Sequence, residues 1–104
     1  MKETYDLTRG WPKDEVYGLT AQVRRAAVSV PANLAEGVGR GSSAEIARFS
    51  QIAVGSLYEL DTLFQVAAEL GIHNQQSITA LRQRITDLTR RIATFIRYQR
   101  TNRL

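Results

Sequence analysis

The chain has 104 residues, 43% of them hydrophobic and 23% charged, which is enough for one domain with one packed core and too apolar for a disordered tail. It has no cysteine, excluding disulfide staples and thiolate metal sites, and neither an export-type leader nor a run of about 18 apolar residues, so a cytoplasmic protein outside the membrane is expected. The formal charge of +4 suits a polyanionic partner, and the excess is local: residues 72–104 carry seven arginines against Asp87 alone, whereas residues 1–71 carry more acids than bases.

Residues 2–9 fit a short first helix, ended by the Gly10-Trp11-Pro12 break. Pro12 suits the first position of a second helix over about 13–37, where Asp14 and Glu15 favour the positive end of the helix dipole. Leu19, Val23, Ala26 or Ala27, Val30 and Leu34 then recur in steps of three and four, one face of a helix. Pro31 lies inside that pattern and is expected to bend the helix without ending it, since the spacing continues beyond it. From Ala26 to Ala35 there is no charge, which suggests a helix enclosed on more than one side.

Gly37 to Gly41 interrupts the pattern, and Ser42 with Glu45 reads as a capping box for a third helix over about 43–70. Its expected seam is Ile46, Phe49, Ala53, Ser56, Leu60, Leu63, Ala67 and Leu70, with Gly71 as the stop. A second apolar set, Ile52, Val54, Leu57, Tyr58, Phe64 and Val66, lies off that seam and needs another partner. The fourth helix, about 74–100, is capped by Asn74 and carries Ile78, Leu81, Ile85, Leu88, Ile92 and Phe95 as its stripe. At about 100° per residue, Arg82, Arg90, Arg97 and Arg100 border one flank of the stripe and Arg84 and Arg91 the other. Nothing alternates long enough to form a strand. The expected fold is all-α, a bundle of four helices.

The residues offer little for catalysis. The Gly37 to Ser43 turn could present backbone N–H groups to an anion but lacks the spacing and lysine of a P-loop, and a plain turn is the stronger reading. His73, the one histidine, has no neighbouring ligand set and reads as a solvated loop residue. Glu36 follows the uncharged stretch and is expected partly buried, in a salt bridge with Arg24, Arg25 or a neighbouring subunit. Ser29 and Asn33 fit the tasks of satisfying backbone near Pro31 or bridging helices. No catalytic residue, metal or cofactor is assigned, and no enzyme is expected. The candidate nucleic-acid-binding set is Arg24, Arg25, Arg40, Arg82, Arg90, Arg97 and Arg100, because each guanidinium that neutralises a phosphate adds salt-sensitive affinity. The competing reading for any one of them is a solvated helix flank with intersubunit pairs to Asp61, Glu59 or Glu69. Leu57, Tyr58 and Phe64 are the candidate subunit contacts, unless a central helix uses both seams within one bundle.

The stretch from Trp11-Pro12-Lys13-Asp14-Glu15-Val16-Tyr17-Gly18-Leu19 through Val28-Ser29-Val30-Pro31-Ala32-Asn33-Leu34-Ala35-Glu36-Gly37 closely resembles the signature of the four helix bundle protein family encoded in 23S ribosomal RNA intervening sequences. Ala53-Val54-Gly55-Ser56-Leu57-Tyr58-Glu59-Leu60 and Glu69-Leu70-Gly71 resemble its third-helix signature. The resemblance implies an antiparallel up-and-down four-helix bundle, here with a truncated first helix, assembling as a homopentamer. A relative is the accessory variability determinant of diversity-generating retroelements, a basic pentamer that partners a reverse transcriptase and is implicated in nucleic-acid binding. Two functions follow as expectations: a non-enzymatic homo-oligomer that binds RNA or DNA through arginines, or a scaffold that recruits a protein such as a reverse transcriptase.

Overall fold

The computed structural model describes residues 2–13 and 18–101. It contains four helices, α1 (Lys2–Thr8), α2 (Leu19–Arg40), α3 (Ser43–Glu69) and α4 (Gln75–Thr101). The start expected for the second helix, with Asp14 and Glu15 at its dipole, lies outside the described residues, and α2 is described from Leu19.

Helix ends follow local chemistry. α3 begins where the Glu45 N–H donates to Ser42 Oγ at 3.1 Å, but the Glu45 carboxylate turns to Arg48 instead of completing the box. It ends in a Schellman motif, with Gly71 at φ 72 and N–H bonds from Gly71 to the Ala68 carbonyl (3.1 Å) and from Ile72 to the Ala67 carbonyl (2.9 Å). Asn74 caps α4 by accepting from the Ser77 N–H at 2.8 Å.

α2 corrects the expected break at Gly37. The helix continues to Arg40 and reverses only at Gly41, which takes φ 82. Gly37 is there for close packing: a Cβ on it would meet Phe49 Cβ at 3.0 Å, the Ile46 Cα at 3.1 Å and the Glu45 carbonyl oxygen at 3.2 Å. The helix also runs through Pro31, as its apolar spacing predicts. Beside it, Asn33 Nδ2 donates to the Ser29 carbonyl at 2.8 Å, and Ser29 Oγ meets Ser56 Oγ of α3 at 2.7 Å, so these polar residues tie backbone and helices together.

α3 is the central element. It packs against both α2 and α4, whose backbones do not approach each other, while α1 packs on α2. The core draws Val23, Ala27 and Val30 from α2, Leu57, Leu60 and Phe64 from α3, and Ile78, Ile85, Ile92 and Ile96 from α4. The buried stripe of α3 (Ala47, Ser50, Ala53, Val54, Leu57, Leu60, Phe64 and Ala67) is rotated from the expected seam, and Leu70, expected within it, is 64% exposed. Two of the three candidate subunit contacts are thereby corrected: Leu57 and Phe64 are 2% and 0% exposed inside one chain, because α3 uses a wide arc against helices on both sides. Tyr58 alone of the three faces solvent, at 63%. Among the described residues no helix is long and apolar enough to cross a membrane.

Candidate nucleic-acid interface

The arginines of the candidate set fall into three kinds of environment. Arg82 and Arg24 hold the fold together. Arg82 grips Asp61 of α3 with two hydrogen bonds, Nε to Oδ1 at 2.8 Å and Nη2 to Oδ2 at 3.2 Å. The hydrogen bond to Asp61 holds the guanidinium pKa above its ordinary value, with the charge of Asp61 adding to it and burial opposing. Arg24 donates from Nε to Thr8 Oγ1 at 3.0 Å and lies 4.8 Å from the Tyr5 ring centroid, so it fastens α1 to α2. Both are taken by partners within the chain.

Arg40 belongs to a cluster at one end of the bundle, where the α2–α3 turn and the end of α4 meet. Its guanidinium stands 4.9 Å from the Phe49 ring, and Arg48, which the sequence reading did not select, stands 4.5 Å from the same ring. Each also has a carboxylate near it, Glu36 at 3.6 Å and Glu45 at 2.9 Å, in exposed pairs of small energetic worth. Glu36 is therefore corrected from a partly buried residue to an exposed one that pairs with Arg40 of its own helix. Arg100 joins this end by lining, with Arg48, Ala44, Ala47, Gln51 and Ile52, a pocket of about 570 Å³.

Arg90 and Arg97 are exposed on the outer face of α4, seven residues and thus about 10 Å apart along its axis. Arg97 Nη2 donates to Thr94 Oγ1 at 3.2 Å. Among the described residues the ion pairs are Arg9–Asp6, Arg40–Glu36, Arg48–Glu45, Arg82–Asp61 and Arg84–Glu3, so Arg25, Arg90, Arg97 and Arg100 stand outside them. Arg25 is exposed on α2, fifteen residues and about 22 Å along that helix from Arg40, away from the end cluster. The structure thus brings Arg40, Arg48 and Arg100 together, sets Arg97 and Arg90 in line behind them, and leaves Arg24, Arg25 and Arg82 apart. Arg48 was missed because its partnership with Arg40 across Phe49 depends on the turn between two helices, which periodicity along one helix does not report.

His73 is not the solvated loop residue expected. It is half-buried and accepts a hydrogen bond at Nδ1 from the Trp11 indole N–H at 3.1 Å, a structural bond at the opposite end of the bundle. The Gly37 to Ser43 segment is mostly helix, with Gly41 as its reversal.

No curated protein matches the sequence. Residues 1–94 match the family described as 23S rRNA-intervening sequence protein, and the chain, which covers that pattern with four helices as the resemblance implied, belongs to this family.

Proposed function

We propose that the protein is a non-enzymatic homo-oligomer of antiparallel four-helix bundles that binds RNA through an arginine surface formed by the outer face of α4 and the end where α2, α3 and α4 meet. The observation that carries this reading is the gathering of Arg40 and Arg48 over the Phe49 ring, with Arg100 beside them and the exposed Arg97 and Arg90 continuing along α4. α4 carries one acid, Asp87, which takes a hydrogen bond from Gln83 at 3.2 Å and lies with Arg84 and Arg91 at the groove between α2 and α4. Guanidinium forks in a row suit a phosphate backbone, and the affinity they supply is electrostatic and falls with salt.

Self-association is supported by a different surface. Within the uncharged stretch of α2, Val28 is 39% exposed and Ala32 and Ala35 face solvent, while on α3 Tyr58 is 63% exposed. Such apolar exposure on a small domain is relieved by burial against identical neighbours. A ring of five such chains, each of formal charge +4, would carry roughly +20, and weak phosphate contacts would add up over it.

Retention of a structured RNA across a salt series tests the function. Binding at low salt that weakens steadily as salt rises is expected, and no retention at low salt overturns the reading. Light scattering tests the assembly, and a monomer at all concentrations removes the homo-oligomer from it.

A further inference from the structure

The outer face of α4 carries more than its arginines. Thr79, Thr86, Thr94 and Thr101 alternate with Gln83, Arg90 and Arg97 in steps of three and four, so they climb the helix as one column about 33 Å long. Every member is exposed. The column itself holds no acid. Asp87 borders it and takes a hydrogen bond from Gln83 at 3.2 Å, and Asp61, beyond the other flank, is gripped by Arg82.

Each of these threonines directs its hydroxyl proton into the helix. Oγ1 donates to the carbonyl four residues back: Thr79 to Gln75 at 2.9 Å, Thr86 to Arg82 at 3.1 Å, Thr94 to Arg90 at 3.1 Å and Thr101 to Arg97 at 2.7 Å. With its proton committed, a hydroxyl meets solvent as an acceptor through two lone pairs. Thr94 already acts so, accepting from Arg97 Nη2 at 3.2 Å and keeping its second lone pair. The column thus alternates hydroxyl acceptors with cationic donors. Threonine is among the poorer helix formers, and on an exposed face no packing offsets that, so helix stability does not account for four of them in one line.

We infer that this column tells RNA from DNA, its threonines accepting hydrogen bonds from ribose 2′-hydroxyls while Arg90 and Arg97 take the neighbouring phosphates. The inference rests on the RNA binding proposed above and adds which atom of the nucleic acid is read. A ribose-phosphate strand presents an anionic phosphate and a hydroxyl donor in every nucleotide. Arg90 between Thr86 and Thr94, each about 6 Å away along the axis, is the complement of that alternation. DNA offers the same phosphates without the 2′-hydroxyl and engages the arginines alone. An acidic protein surface fits less well, because its carboxylates would set acceptors against the threonine acceptors.

The probe is one fluorescein-labelled stem-loop made in three forms: RNA, DNA, and 2′-fluoro RNA, which keeps the RNA helix form but has no hydroxyl to donate. Fluorescence anisotropy at low salt is expected to show the full chain binding RNA about tenfold more tightly than either other form. Thr86→Val with Thr94→Val is expected to bring the RNA affinity down to that of the 2′-fluoro form. Thr86→Ser with Thr94→Ser, which retains both hydroxyls, is expected to retain the preference. Equal affinity of the parent for RNA and either other form overturns the inference and leaves RNA binding through the arginines standing. A preference undiminished in the valine variant, with helical content unchanged by circular dichroism, also overturns it. Retention of none of the three forms at low salt overturns the RNA reading and the inference together.

Discussion

Trp11 donates its indole N–H to His73 Nδ1 at 3.1 Å, joining the segment after α1 to the turn between α3 and α4. The same indole stands edge-on to Phe64, with ring centroids 6.5 Å apart, and is 6% exposed. Nδ1 carries no proton in this bond, so the imidazole acts as an acceptor and fixes the entry to α4 against the exit from α1. His73→Ala leaves a buried donor without its acceptor, and a cost of about 1–3 kcal/mol is expected. Urea unfolding followed by the fluorescence of Trp11, the single tryptophan, reads it directly. An unchanged midpoint would mean that water replaces the imidazole and that the bond contributes nothing net.

Gly37 and Gly39 are two residues apart on α2, and alanine is expected to act on them with opposite sign. At Gly37 the new Cβ meets the backbone of Ile46 and Glu45 within 3.2 Å, and neither atom can rotate away, so the α2–α3 crossing must widen at a cost of about 1–3 kcal/mol. At Gly39 nothing lies within 4 Å and the residue is helical, so alanine gains about 0.5–1 kcal/mol by restricting the unfolded chain. Thermal melts of the two variants against the parent check the pair. Two melting points that move in the same direction would contradict the close contact at Gly37.

Ser50 sits in the buried arc of α3 at 1% exposure, and its hydroxyl has no hydrogen-bond partner among the described residues. An unpaired hydroxyl among apolar side chains is a loss that the folded state carries with no return from bonding. Ser50→Ala removes it with little change in volume and improves helix propensity, so a gain of about 1 kcal/mol is expected in denaturant unfolding. A loss of stability would show that the hydroxyl finds a partner in solution, such as a bound water.

Ser50 also shows where reading the sequence reached its limit. The four helices, the Asn74 and Gly71 boundaries and the passage through Pro31 were legible, because spacing and end chemistry are local. The phase of α3 was not. Apolar periodicity chose Ile46 and Phe49 over Ala47 and Ser50, yet a helix wedged between two others buries a wide arc in which small residues permit the closest approach, and the larger side chains are left to its edges. Gly37 misled for a related reason, since a glycine needed for helix contact looks in sequence like a glycine needed for a turn. On α4 the isoleucines were placed correctly, but Leu88 and Phe95, which look like core residues, are 40% and 37% exposed. The arginines were legible as a charged flank only; which of them faces an acid depends on Asp61 of another helix, and such a pairing leaves no local trace.

That pairing makes the arginines separable by experiment. Arg82 is expected to act on stability and not on RNA: Arg82→Ala frees Asp61 from a two-pronged, partly exposed pair and lowers stability by about 1 kcal/mol. The upward displacement of the Arg82 pKa keeps its guanidinium charged throughout the alkaline range below its own titration, so alkaline titration from neutral to about pH 10 should leave the difference between parent and variant unchanged. Arg97→Ala and Arg100→Ala are expected to do the reverse, with melting points near the parent's and weaker RNA retention. For each phosphate contact removed, the slope of log affinity against log salt should become shallower by about 0.7–0.9, so the double variant should lose roughly twice that. Arg48→Ala tests the cluster around Phe49, where a loss of RNA affinity beyond one phosphate's worth would indicate that the stacked pair acts as a unit. If Arg82→Ala flattens the salt slope as much as Arg97→Ala does, the surface is acting through net charge alone, and the outer face of α4 has no special claim on the nucleic acid.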